Sequence, residues 1–247
     1  EFKNVSLTYS GSGAPSVEGI NFKAMKGQTI GVIGGTGSGK SSLVNLIPRL
    51  YDATQGEVLV DGVNVKDYDI EALRNKVGIV MQKAVLFKGT IRENMWMGKK
   101  GATDEQIDEA LEISQSKEFV DSKQGRLDYV IEQGGKNLSG GQRQRLTIAR
   151  AIVRKPDVLI LDDSASALDF ATDAALRKAI RGMNNSPTVF IVSQRAASLM
   201  YADLIIVLDD GQVAGMGTHD ELLANCEVYK EIYESQFKKA DSEGGVA

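Results

Sequence analysis

Apolar and polar residues change their spacing several times along the chain, and each change marks an element. Residues 3–9 alternate, with Val5, Leu7 and Tyr9 on one side, as in a half-buried strand. Residues 11–15 read as a turn. Strands follow over 20–24 and 28–33, the second running straight into a glycine-rich loop. Residues 41–50 have helical spacing, and 57–60 with Asp61-Gly62 open a hairpin. Residues 77–81 form a strand that stops at Gln82. Residues 103–119 repeat with a helical period, and Thr103 with Gln106 fits a capping box. A further helix is expected over 139–153. From Asp157 onward short apolar strands and helices alternate, over 158–161, 171–182, 188–192, 196–201 and 204–208. That alternation predicts a parallel sheet covered on both faces. Residues 84–150 are mostly helical and interrupt it, so they are expected to form a helical subdomain inserted in an α/β core. The expected domain covers 1–237, and the polar tail 238–247 is expected to lack order.

Composition narrows the class. At 247 residues and 42% hydrophobic content, one large domain, or one with a subdomain, is expected. No apolar run approaches the roughly 18 residues that span a bilayer, and no signal peptide is expected. The chain opens at Glu1, without Met, and enters a strand pattern almost at once, so a piece of a longer polypeptide is expected. One cysteine, Cys226, excludes an internal disulfide, fits a reducing compartment and is expected to serve packing. The net charge is −4, which argues against a basic nucleic-acid surface, so no nucleic-acid partner is expected. The densest basic cluster, Arg143 to Arg150, has the spacing of a helix face.

The candidate chemistry begins at Gly34-Gly35-Thr36-Gly37-Ser38-Gly39-Lys40-Ser41, which fits GxxxxGK[ST]. Glycines at such positions let successive backbone N–H groups converge on a polyphosphate, ahead of a helix whose positive end favours it. In that pattern Lys40 reaches the β- and γ-phosphates and Ser41 ligates Mg²⁺. Asp162 closes an apolar strand, placing a carboxylate where a Mg²⁺ ligand is expected. Ser139 is a good N-cap, and Gly140 and Gly141 after it let backbone approach an anion closely.

The trio of the glycine loop, Leu138-Ser139-Gly140-Gly141-Gln142, and Val158-Leu159-Ile160-Leu161-Asp162-Asp163, in that order, resembles the nucleotide-binding domain of ATP-binding cassette (ABC) proteins. The resemblance covers the chain to about residue 237. It implies a RecA-like P-loop NTPase core with a mostly parallel sheet, an N-terminal antiparallel β subdomain and an inserted helical subdomain. It implies ATP and Mg²⁺ as cofactors. Tyr9 matches the aromatic that stacks on adenine, and Gly34 to Ser41 with Ser42 would hold the phosphates. Ser41, Gln82 and Asp162 would serve the metal. Ser139, Gly140, Gly141 and Gln142 would meet the γ-phosphate bound to the opposite subunit of a dimer, with Ser166-Ala167-Leu168-Asp169 crossing that interface. Asp163, Gln194 and Gln82 fall on the catalytic positions. Leu86 to Asn94 is similar to a segment of multidrug- and lipid-exporter domains, and Glu132 to Gly135 resembles their loop that contacts transmembrane partners. Trp96 is expected to pack, and His219 is assigned no chemistry. The resemblance further implies transmembrane domains fused N-terminally and a place at the cytoplasmic face of the plasma membrane.

Two positions depart from the family pattern. A Glu usually follows the strand-ending Asp, and here it is Asp163; a His usually follows the last core strand, and here it is Gln194. Asp163 retracts its carboxylate by about 1.5 Å, and misplacement near 1 Å can cost about a hundredfold in rate. Gln194 can donate to a phosphate oxygen but carries no positive charge. Tight ATP binding with poor hydrolysis at the chain's own site is therefore expected, as in one half of a heterodimeric exporter. An importer ATPase and a self-sufficient homodimeric exporter ATPase are the rival readings. A soluble repair or translation ATPase is disfavoured, because no sustained heptads separate Ser41 from Leu138 and no second cassette is present.

Overall fold

The structure, a computed structural model, describes residues 1–164 and 167–243, with side chains through 237. Its strands are β1 (Phe2–Leu7), β2 (Val17–Phe22), β3 (Thr29–Gly34), β4 (Gln55–Val60), β5 (Val63–Asn64), β6 (Val77–Val80), β7 (Gly89–Thr90), β8 (Val130–Ile131), β9 (Val158–Asp162), β10 (Thr188–Val192), β11 (Leu204–Asp209) and β12 (Gln212–Gly217). Its α-helices are α1 (Lys40–Asn45), α2 (Ile70–Lys76), α3 (Ile91–Trp96), α4 (Asp104–Ile113), α5 (Lys117–Asp121), α6 (Gly140–Ile152), α7 (Phe170–Arg181), α8 (His219–Asn225) and α9 (Glu227–Glu243). Two compact units result. One comprises Glu1–Arg74 and the chain from Thr188 onward, the other Asn75–Pro187.

In the first unit β10, β3 and β11 are parallel neighbours, and β12 closes the run antiparallel to β11. Ile30, Val32, Ile33 and Ile205 to Leu208 are all fully buried, as strands covered on both faces require. A separate antiparallel sheet has the order β2-β1-β4-β5. There Phe2 stacks on Phe22, with ring centroids 4.5 Å apart.

In the second unit β6 and β9 pair in parallel. Helix α6 lies against β6 so closely that a Cβ on Gly78 would press on the Ala151 carbonyl and Pro156. The segment 86–94 does structural work. Thr90 and Glu93 close a reciprocal cap on α3, and the fully buried Asn94 bonds both the N–H and the carbonyl of Phe87. Arg92 is ion-paired to Asp104 and Asp128, which holds its guanidinium pKa above the ordinary value. The guanidinium groups of α6 are also engaged within the unit. Arg143 donates to the Leu138 carbonyl (2.6 Å), Arg145 to that of Gln115 (2.7 Å) and Arg150 to that of Val85 (2.8 Å).

Several predicted elements are shorter than their periodicity implies. The helix expected over 41–50 ends at Asn45. Pro48 has no N–H to continue it, and Leu46, Ile47 and Arg49 donate three residues back instead of four. The helix expected over 103–119 is two helices. Gln115 adopts φ +60, and the buried hydroxyls of Ser114 and Ser116 bond each other at 2.9 Å across the break. The helix expected over 196–201 is a single 3-10 turn, Ala196–Ser198. Helix α9 runs through Glu243, into the tail expected to lack order; residues 244–247 lie outside the described residues.

Helices α8 and α9 carry the chain's only histidine. His219 Nδ1 lies 2.8 Å from the hydroxyl of Tyr229, which is fully buried. Burial pushes the Tyr229 hydroxyl up to about 12, against an unfolded value near 10. The folded state therefore holds this proton more tightly, and its contribution to stability is complete below about pH 10 and lost as pH rises toward 12. Denaturant unfolding across pH 8–11.5 should show the wild type losing stability above pH 10 by up to about 1.4 kcal/mol per unit relative to Tyr229→Phe.

Candidate functional site

The glycine loop leaves β3 at Gly34 and enters α1 at Lys40. Its closeness to neighbouring backbone dictates the residue types at two positions. A Cβ on Gly34 would overlap the Leu208 carbonyl, and one on Gly39 would overlap the Ser16 carbonyl. Gly39 also takes φ +93, a conformation that side chains disfavour by about 1–2 kcal/mol. Lys40 is nearly buried, and its ammonium turns back onto the loop, donating to the carbonyls of Gly34 (2.8 Å) and Gly35 (2.6 Å). The loop thus holds a cation at its centre with the Ser38 hydroxyl 3.5 Å away.

Tyr9 stands just past the end of β1. Its hydroxyl donates to Ser42 Oγ at 3.0 Å, so it borders the first turn of α1. Tyr51, which sequence reasoning missed, meets the Tyr9 ring edge-on at 4.9 Å. It is 45% exposed, beyond a helix that stops earlier than its spacing predicts. Gln194 follows β10, and its side chain is exposed.

The second unit brings other predicted residues together. Asp162 closes β9 and is buried, with a partner already engaged. Asp163 follows at φ +46, a left-handed conformation that Asp tolerates better than most residues. Its Oδ2 accepts from Gln82 Nε2 at 3.1 Å, which leaves Gln82 Oε1 as the acceptor of that amide. Ser139 caps α6 as expected. Its hydroxyl accepts from the Gln142 N–H (3.2 Å), and Gln142 Oε1 accepts from the Ser139 N–H (3.0 Å). The Gln142 side chain is therefore engaged in the cap. Gly140 is exposed. Among the described residues, a Cβ there would approach nothing nearer than 3.9 Å, and one on Gly141 nothing nearer than 3.4 Å. Ser166 lies outside the described residues, whereas Asp169 caps α7 through Thr172 at 2.9 Å.

No cluster of three or more His, Cys, Asp or Glu side chains occurs among the described residues. Nor is any helix among them long and apolar enough to cross a membrane.

A buried strand, a glycine loop pinned by its own lysine and a helix beyond it define a P-loop NTPase fold. Within that class the comparisons are specific. A family model described as ABC transporter matches residues 17–166, and the chain belongs to that family. The uncharacterized ABC transporter ATP-binding protein YfiB of Bacillus subtilis is 44% identical over 243 residues, 98% of this chain and 42% of that protein. A putative multidrug export ATP-binding/permease protein of Staphylococcus aureus is 39% identical over 236 residues, 96% of this chain and 41% of that protein. A solved structure of a bacterial Atm1-family ABC exporter with ATP bound matches with a TM-score of 0.90 at 32% identity, covering 95% of this chain and 41% of that one. The chain thus spans about two fifths of the length of the relatives it matches. It is an ATP-binding domain with the ABC ATPase fold.

Glycines with and without an internal role should separate experimentally. Gly39→Ala should lower unfolding free energy by at least about 2 kcal/mol, because a left-handed backbone and an overlap with Ser16 act together. Gly35→Ala meets nothing within 4 Å and should change it by less than about 0.5 kcal/mol. Urea unfolding of the two variants without nucleotide tests the contrast.

Proposed function

We propose that this chain is the ATP-driven motor domain of a membrane exporter, working in a dimer in which its own site hydrolyses slowly and its partner is a different chain. Exporters stand on both sides of the comparison, in the multidrug export relative and the Atm1-family structure. The observation that carries the reading is a pair of glycines without an internal reason. Gly140 and Gly141 open α6, where Gly is less favourable than Ala by up to about 1 kcal/mol. Neither has positive φ, and among the described residues neither faces a neighbour in its own unit close enough to forbid a methyl group. In this reading the demand for bare backbone there comes from outside the chain. A γ-phosphate carried by a partner subunit meets that demand, since it seeks backbone N–H groups at a helix N-terminus.

In this reading Tyr9 stacks on adenine, and Gly34 to Ser42 cradle the phosphates. Lys40 is already poised on loop carbonyls and transfers its bonds to the β- and γ-phosphates. Mg²⁺, which Ser41, Gln82 and Asp162 would hold, supplies neutralisation of the phosphate charge. Asp163 and Gln82 position the attacking water, and Gln194 donates to a γ-phosphate oxygen. Two features slow that step. Asp163 is one methylene short with one oxygen committed to Gln82, and Gln194 brings no charge to a transition state that accumulates it. ATP binding closes the dimer, hydrolysis reopens it, and membrane segments beyond this chain alternate between two states.

At high concentration a second copy can stand in for the partner, and slow turnover should make the ATP-bound dimer persist. Sedimentation with Mg-ATP should give a dimer for the wild type and a monomer for Gly141→Ala. The variant should keep wild-type ATP affinity and a stability equal to or up to about 1 kcal/mol above wild type. A Gly141→Ala chain that dimerises like the wild type contradicts the proposal.

A further inference from the structure

Gln194 follows the end of β10 with its side chain exposed, yet its backbone is closely held. The Ser193 N–H donates to the Val32 carbonyl at 3.1 Å, and the Arg195 N–H to the Ser193 hydroxyl at 3.0 Å. The next two bonds come from far along the chain. The Gln236 amide of α9 accepts from the Ala196 N–H (2.9 Å) and donates to the Gln194 carbonyl (2.7 Å). One side-chain amide thus stands in for a strand neighbour, satisfying a donor and an acceptor two residues apart. The Gln194 side chain is exposed, while Ala196 is fully buried. The loop is therefore clamped by its main chain and leaves residue 194 projecting outward.

Helix α9 is seated independently of this clamp. Tyr229 is fully buried against His219, and Tyr233 lies between the His219 ring (5.2 Å) and Phe237 (4.3 Å). Loss of the Gln236 amide leaves those contacts in place. We infer that Gln236 is a positioning residue for ATP hydrolysis: through its amide, α9 fixes the backbone at Gln194 and so aims the residue that serves the γ-phosphate. The inference rests on the role given to Gln194 above. Its physical basis is that a donor must stand within a few tenths of an ångström of the oxygen it stabilises, so its backbone must not wander. The C-terminal helix then becomes part of the hydrolytic apparatus without touching nucleotide.

Two near-isosteric variants separate the halves of the clamp. Gln236→Glu keeps the acceptor for Ala196 but sets a carboxylate oxygen against the Gln194 carbonyl; Gln236→Met removes both bonds. Single-turnover hydrolysis of Mg-ATP by the chain should fall about tenfold in Gln236→Glu, with ATP affinity and melting temperature close to wild type. In a cycle with Gln194→Ala, the same change should alter the rate by less than about twofold, since there is no longer a side chain to aim. Amide exchange at Ala196 should stay slow in Gln236→Glu and quicken in Gln236→Met. Equal rate losses on both backgrounds mean that Gln236 only supports the fold, and no loss on either means that the clamp is idle; each overturns the inference. If Gln194→Ala by itself leaves the rate unchanged, the role of Gln194 fails first and the inference falls with it.

Discussion

An ammonium held almost out of water must be answered by oxygen atoms, and the loop from Gly34 to Lys40 is shaped by that demand. Lys40 lies on two main-chain carbonyls of its own loop, and the loop is pressed against Ser16 and Leu208 so tightly that side chains at Gly39 and Gly34 are excluded. The buried strand β3 and the buried middle of β11, Ile205 to Leu208, hold that loop in place, and β10 beside β3 leads to Gln194. Under the proposed function, the cation held on these loop carbonyls would exchange them for phosphate oxygens, with which charge-assisted bonds are stronger. The ATP-binding character of the family thus has a local physical cause in this chain.

Much of this was legible in sequence because it depends on local rules. The glycine loop, the Asp162 strand end and the caps at Thr103 and Ser139 are each written within a few residues, and the caps are present with both reciprocal bonds. What sequence missed depends on distant partners. The break at Gln115 requires two buried serine hydroxyls to bond each other, which a helical period does not reveal. Helix α1 was overextended because its apolar spacing continues past the point where Pro48 removes a donor. Helices α8 and α9 went unread although Thr218 with Glu221 is another capping box. Their apolar residues face only part of the first unit, and Gln236 gains meaning only when its two bonds to a loop some 40 residues earlier are seen.

The segment 86–94 shows how a family resemblance acquires a mechanism. Its polar residues are not free surface charges: Arg92 ties α3 to Asp104 and Asp128, Glu93 completes a cap and Asn94 fastens Phe87. The segment is a rigid frame that leaves Phe87 about half exposed. At Asp163 and Gln194 the opposite holds. The Gln236 clamp holds Gln194 by its backbone, and Asp163 meets Gln82 through its carboxylate. Under the proposed function, these are the two positions where substitution would alter one reaction step rather than the fold.

The most direct test compares Mg-ATP hydrolysis by this chain with that of Asp163→Glu combined with Gln194→His, alongside ATP affinity. Equal affinities and a rate at least about tenfold higher in the double variant are expected, since a carboxylate restored by about 1.5 Å and a cationic partner act on the same step. Equal rates, clearly above background, would contradict it and make the chain a self-sufficient motor.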